Sequence, residues 1–130
     1  MIKEKLVKVK TVANYEETIK LLKAYVERSK SVLICSYEEQ MDDEMCEIKV
    51  VCTRDYANVT MVRNGIFNQR CYCKDFEYNG VFNAEEMQVG MRIKTEKYLF
   101  ENNILDILYK VFLNGDFIGD YEYRLEVGEV

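Results

Sequence analysis

The chain has 130 residues, 48% hydrophobic and 12% aromatic, enough for one domain with its own core and too apolar for a disordered tail. It carries 23 Asp+Glu against 18 Lys+Arg, a formal net charge of −5, which excludes a broadly basic nucleic-acid-binding module. Histidine is absent, which removes Ser–His, Cys–His and zinc–His chemistry and the usual pH switch.

The first residues, Met1–Lys5, alternate rapidly with charge and form no secretory h-region, and no apolar run approaches the ~20 residues of a membrane span. Five cysteines, an odd number, fit a reduced cytoplasmic protein better than a disulfide framework. With no proline and scattered glycines, nothing divides the chain, and residues 1–130 are expected to form one domain.

Residues 14–28 send two signals. Asn14 followed by Glu16-Glu17, with Tyr15, Ile19, Leu22 and Val26 at helical spacing, describes a capped short helix. As a strand, the same stretch places Ile19, Leu21 and Tyr25 on one face with Lys23. Beyond it the punctuation is local. Arg28–Ser31 and Asp42–Glu44 are polar turns, and Asn64-Gly65, Asn79-Gly80 and Asn114-Gly115 supply the positive φ angles of tight hairpins. Turn signals about every 8–12 residues belong to all-β sandwiches and barrels.

The runs between these turns alternate with a period of two. Cys46, Ile48, Val50 and Cys52 oppose Glu47, Lys49 and Thr53, while Val89, Met91 and Ile93 oppose Arg92, Lys94 and Glu96. Ile104–Leu113 is apolar on both faces, which predicts a central strand or one covered on its outside. In the last run Phe117, Tyr121, Tyr123, Leu125 and Val127 share a face, with Gly119 predicted to mark a bend or bulge.

Few residues carry chemistry. Cys71 and Cys73 lie on one strand face, but zinc needs four donors, and Cys35, Cys46 and Cys52 would have to converge on them; small core residues are the simpler reading, and no metal is expected. Glu38, Glu39 and the acidic turn after them lack calcium-loop spacing. Arg63 could pair with Glu38 or Glu39 or with a ligand carboxylate, and Tyr121 and Tyr123 are read as lumen-facing.

The order of these pieces carries a resemblance. Val32–Glu39, containing Tyr37-Glu38-Glu39, is followed by a charged turn and Ile48-Lys49-Val50. Then come Val59–Gly65, Met91–Thr95, and Leu105–Leu113 leading to Asn114-Gly115. This arrangement, spanning roughly residues 30–127, resembles the YwiB-like family of small bacterial proteins, a domain-of-unknown-function family with a calycin-type (lipocalin-like) barrel. The resemblance implies a closed, mostly antiparallel barrel without an established activity, and places the family's recurring Tyr, Glu, Arg, Gly and Thr on Tyr37, Glu39, Arg63, Gly65 and Thr95. Family glycines near residues 23–24 and near Met87 are missing here. The family also favours the strand over the helix for residues 14–28.

The expected fold is therefore an all-β closed barrel of about eight to ten strands, with a short helix at 14–28 as the alternative. Its expected role is binding a small apolar or amphipathic molecule in the lumen or at the barrel mouth, through Tyr37, Glu39, Arg63, Thr95, Tyr121 and Tyr123. No cofactor is expected, and no nucleic-acid or membrane partner. The alternatives are a protein–protein module, a homodimer included, acting through the two-faced strand Ile104–Leu113, and, less favoured, an enzyme built on Glu38, Glu39 and Arg63.

Overall fold

The computed structural model describes residues 1–128, and they form strands and turns alone. The ten strands are β1 (Ile2–Ala13), β2 (Glu16–Arg28), β3 (Leu33–Met41), β4 (Glu44–Cys52), β5 (Tyr56–Arg63), β6 (Ile66–Cys73), β7 (Glu77–Asn83), β8 (Gln88–Glu101), β9 (Ile104–Leu113) and β10 (Asp116–Val127). They make one antiparallel sheet in the order β6-β5-β4-β3-β2-β1-β10-β9-β8-β7. Each strand pairs with its chain neighbour except at β6 and β7, the two edges, and β1 and β10 join the two halves through a ladder running from Val7↔Val127 to Ala13↔Tyr121.

Two-residue loops with positive φ at both positions set this path. They are Asn14-Tyr15, Asn64-Gly65, Asn102-Asn103 and Asn114-Gly115, each matching the twist of the strands it joins. The short helix at 14–28 does not form. Asn14, which reads as an N-cap, is instead the first residue of the β1–β2 turn (φ 49°), and Glu16–Arg28 pairs along β1 from Ala13↔Glu16 to Ile2↔Glu27. Helical periodicity over this stretch loses to a ladder that satisfies the same backbone groups and buries Ala24 and Val26. Asn79-Gly80 is not a turn either: both residues lie inside β7, where the Tyr78 ring lies over Gly80 in the space a Cβ would fill.

The sheet rolls up around a core to which every long strand contributes alternate residues, among them Val7, Val9, Leu33, Val50, Ile93, Leu105, Ile107 and Leu125. The edges β6 and β7 meet without a regular ladder. Asparagine side chains imitate one: Asn83 N donates to Asn68 Oδ1 (2.7 Å), Asn68 Nδ2 to Asn83 O (2.9 Å), and Asn83 Nδ2 to Phe67 O (3.0 Å). Nearby, the Tyr78 hydroxyl donates to Gln69 O (3.3 Å). At the opposite end Tyr98 donates to Thr53 O (2.6 Å). The bonds along the β6–β7 seam occupy edge groups that would otherwise stand open.

Gly119 does mark a bulge, for the β9–β10 register shifts between Phe117 and Gly119. The shift reverses the parity of the strand's start, so Phe117 points outward onto Phe112, while Tyr121, Tyr123, Leu125 and Val127 point inward. A Cβ on Gly119 would collide with the Asn14 side chain, which accepts a hydrogen bond from Asp120 N (3.2 Å). Gly119→Ala is expected to lower stability by about 1–3 kcal/mol, the cost of overpacking. Urea titration checks this; an unchanged midpoint would mean that Asn14 swings aside freely.

Candidate functional site

Several tyrosines gather inside the barrel. Tyr72 and Tyr109 lie with ring centroids 4.6 Å apart, and Tyr109 stacks on Tyr121 at 5.5 Å. The Tyr37 and Tyr123 hydroxyls share a hydrogen bond of 2.7 Å. Burial pushes Tyr109 and Tyr123 well above the ordinary phenol value and raises Tyr37 too, so all three stay protonated and can donate. Thr95, opposite Tyr109 and next to a register shift in β8, is buried with its Oγ1 unpartnered.

Arg70 shares the strand face of Tyr72. It alternates with Asn68 and Tyr72 on the inward face of β6 and is partly exposed. Burial works against its charge, but the Tyr72 and Tyr109 oxygens more than offset that, so its pKa lies above the ordinary arginine value. Other cations also stand on inward positions, Lys3 and Lys5 of β1 among them. Lys20 meets the buried Glu39 at 2.9 Å, Arg63 pairs with Glu44, and Arg28 lies over the Phe100 ring.

Beside the asparagine seam the barrel opens into a pocket of about 330 Å³. Met61, Ile66, Asn68 and Phe82 line it from inward positions, with Arg63 and Glu44 on its rim. Asn68 is the inward residue before Arg70 on β6, their Cα atoms one pleat, about 7 Å, apart.

The expected site residues divide three ways. Tyr37, Tyr121, Tyr123 and Thr95 belong to the interior group. Glu39 faces inward but is held by Lys20, whose ammonium also donates to Gln40 O (3.1 Å) where the β2–β3 ladder has ended at Ala24↔Tyr37. Arg63 pairs with neither Glu38 nor Glu39. Its partners are Glu44 and Asp42, because Arg63 and Glu39 stand in one row on either side of Cys46, with the whole of β4 between them, while Glu44 and Asp42 lie beside Arg63 at the β3–β4 turn. Tyr37, Glu39 and Arg63 therefore form three separate contacts and not one network. The guanidinium beside Glu44 holds that carboxyl below its usual range.

Sequence reading missed Arg70, Tyr72 and Tyr109. The signal was present in 66–73, where Asn68, Arg70 and Tyr72 alternate with Phe67, Cys71 and Cys73. Apolarity favours the second set for the interior, yet the structure turns the polar set inward and leaves Phe67 half exposed. Cys71 and Cys73 are thus outer-face residues, not core, and the sheet separates them from the buried Cys35, Cys46 and Cys52. Among the described residues no three Cys, Asp or Glu converge as a metal would need.

On the outside, a groove of about 730 Å³ crosses β2–β5, with Lys23, Tyr25, Glu38, Met45, Glu47 and Lys49 among its lining. The outer face of β9 is different. Asp106 is clasped by Lys97 (3.1 Å) and Arg124 (3.4 Å), Lys110 by Glu96 and Asp120, and Phe112 lies under Arg92. Neighbouring side chains thus cover most of this outer face, and Leu108 stays exposed.

No curated protein matches the chain. Among solved structures, the crystal structure of the ywiB protein from Bacillus subtilis is similar, with a TM-score of 0.70 at 12% identity, over 98% of this chain and 94% of that one. At that identity the likeness is one of fold. A family model described as domain of unknown function (DUF1934) matches residues 5–125, nearly the whole rolled sheet. This ten-stranded barrel therefore belongs to that domain-of-unknown-function family.

Proposed function

We propose that the protein is a cytoplasmic binding module that takes one small amphipathic molecule through the pocket beside the β6–β7 seam. The observation that supports this most is the lining of that pocket: Met61, Ile66 and Phe82 are apolar and inward-facing, with Asn68, Arg63, Glu44 and Glu85 as the polar groups around them. Apolar walls with a few convergent polar groups are the usual makeup of small-molecule sites. Five free cysteines agree with a reducing compartment.

Calorimetric titration with decanol, a neutral amphipath, tests the reading. Saturable binding is expected, weakened at least tenfold by Met61→Trp, which fills the pocket at its apolar wall. Absence of binding to the parent protein, or binding indifferent to Met61→Trp, would overturn the reading.

A second reading, docking of another protein on the exterior, is favoured by the groove over β2–β5, where Tyr25 and Met45 stay more than half exposed. It moves the expected interface from the outer face of β9, now charge-laced, to the outer face of β2–β4.

A further inference from the structure

From the parting of β2 and β3 we infer that the outer groove is a strand-addition site. Its occupant is an extended segment of another protein, antiparallel to the open edge of β2, with apolar residues and one basic residue on the same face. This rests on docking at the exterior groove and adds its mode and its partner; the pocket at the β6–β7 seam plays no part.

The open edge follows from register. β2 pairs with β1 along its whole length, yet with β3 only from Ala24↔Tyr37 to Arg28↔Leu33. Ala13 and Glu16 flank the two-residue Asn14-Tyr15 turn and so bond each other, which turns the backbone groups of Thr18, Lys20 and Leu22 toward β1 as well. Glu17, Ile19 and Leu21 face the other way, where no backbone partner meets them among the described residues. Lys20 crosses this part of the wall from the inner face, reaching Gln40 O (3.1 Å) and Glu39 (2.9 Å), so a flexible side chain spans it where a strand would otherwise lie. Such an edge binds extended peptides through main-chain hydrogen bonds, while alternate side chains give specificity.

The side chains around the edge define the partner. Ile19, Leu21 and, across the groove, Met45 are each more than half exposed. One pleat along, Glu38 and Glu47 stand directly opposite each other on the outer face and both line the groove. Like charges so placed repel. Lys23 and Lys49 line the groove too, yet none of these four charges forms an ion pair among the described residues. An extended segment repeats its side chains every second residue, about 7 Å. Apolar groups beside Ile19 and Leu21 therefore set a basic group over the two carboxylates at the next pleat.

Capped peptides added to the full chain at low ionic strength test the inference, read by calorimetry and by amide hydrogen exchange. The first is threonine-based with arginine, leucine and leucine at alternate positions, in that order because an antiparallel partner begins where β2 closes on β3. The second carries glutamate for arginine, and the third is the first N-methylated on its leucines. In the free protein the Ile19 and Leu21 amides are expected to exchange faster than those of Thr18 and Lys20, and the arginine peptide is expected to slow them. It should bind about tenfold more tightly than either of the others. Glu38→Gln/Glu47→Gln, which only relieves an exposed repulsion, should lose the preference for arginine over glutamate. Ile19 and Leu21 amides already as protected as their neighbours, or a preference surviving in the double variant, would overturn the inference. So would the glutamate or N-methylated peptide binding as tightly as the first. Binding that leaves those amides unchanged, or no binding of any peptide, removes strand addition and leaves docking of a folded surface on the groove standing.

Discussion

Raising the pH from 7 to 10 is expected to cost the folded protein about 3 kcal/mol through two cysteines alone. Cys35 and Cys52 face the core with no accessible surface, and burial pushes both thiols from 9.0 up to about 12. The unfolded chain releases these protons near 9.0 and the folded chain does not, so above that value the unfolded state binds fewer protons and gains stability with each step of pH. The stabilising contribution is complete below pH 9 and is lost between about 9 and 12. At pH 10, each thiol accounts for about 1.4 kcal/mol.

Urea titrations under reducing conditions at the two pH values give the measurement. Cys35→Ala/Cys52→Ala will start less stable, because it leaves two small cavities, but its loss between pH 7 and 10 should be smaller by about 3 kcal/mol. An equal loss in parent and variant would mean that these thiols ionise in the folded state as readily as in the open chain. Tyr37, Tyr98, Tyr109 and Tyr123, all raised by burial, extend the same trend to higher pH.

The Lys20–Glu39 pair is the second place where a single change should be felt strongly. Glu39 is 7% exposed and its ammonium partner is 2.9 Å away. Lys20→Met strands a carboxylate against Tyr37 and Cys46 and is expected to cost about 3 kcal/mol. The half-solvated position of Lys20 keeps the figure at the low end of what breaking a buried pair does. Lys20→Met/Glu39→Leu removes both charges and should recover most of the loss, since an apolar pair of similar size fits the same wall. A double variant no better than Lys20→Met would show that packing of the lysine stem, and not the stranded charge, sets the cost.

Much of the barrel was legible because strand periodicity and Asn-Gly turns are local signals. Cys46–Cys52 and Tyr121–Val127 face as their alternation predicts, and Asn64-Gly65 and Asn114-Gly115 turn as their composition demands. Asn102-Asn103 makes the same kind of turn without glycine and was passed over, since asparagine tolerates positive φ less conspicuously. Asn79-Gly80 misled for the opposite reason: its glycine admits a neighbouring ring, which no local pattern reveals. At residues 14–28 the favoured strand forms, and the competing helical signal came from a cap-like Asn14 whose real partner, Asp120, is far along the chain.

The interior group shows where local reading stops. Tyr37, Tyr121, Tyr123 and Thr95 fall out of strand parity, but Arg70 required knowing which face of β6 turns inward. That choice is settled across strands, because Ala57 and Cys52 place Tyr72 inside and so bring Arg70 with it. An inward-facing, half-buried arginine among polar neighbours looks like a surface residue until its register is known.

The ladder between β1 and β10 has a kinetic consequence. Every other ladder joins neighbours in sequence and can zip from its own turn, while this one must bring together residues more than a hundred positions apart. Folding should therefore consist of two curled ribbons forming early and an annealing step between the chain's two ends. A circular permutant opened in the loop between β6 and β7, with the native ends linked, would turn that slow annealing into one more local hairpin and leave the asparagine seam as the point where the polypeptide starts and stops.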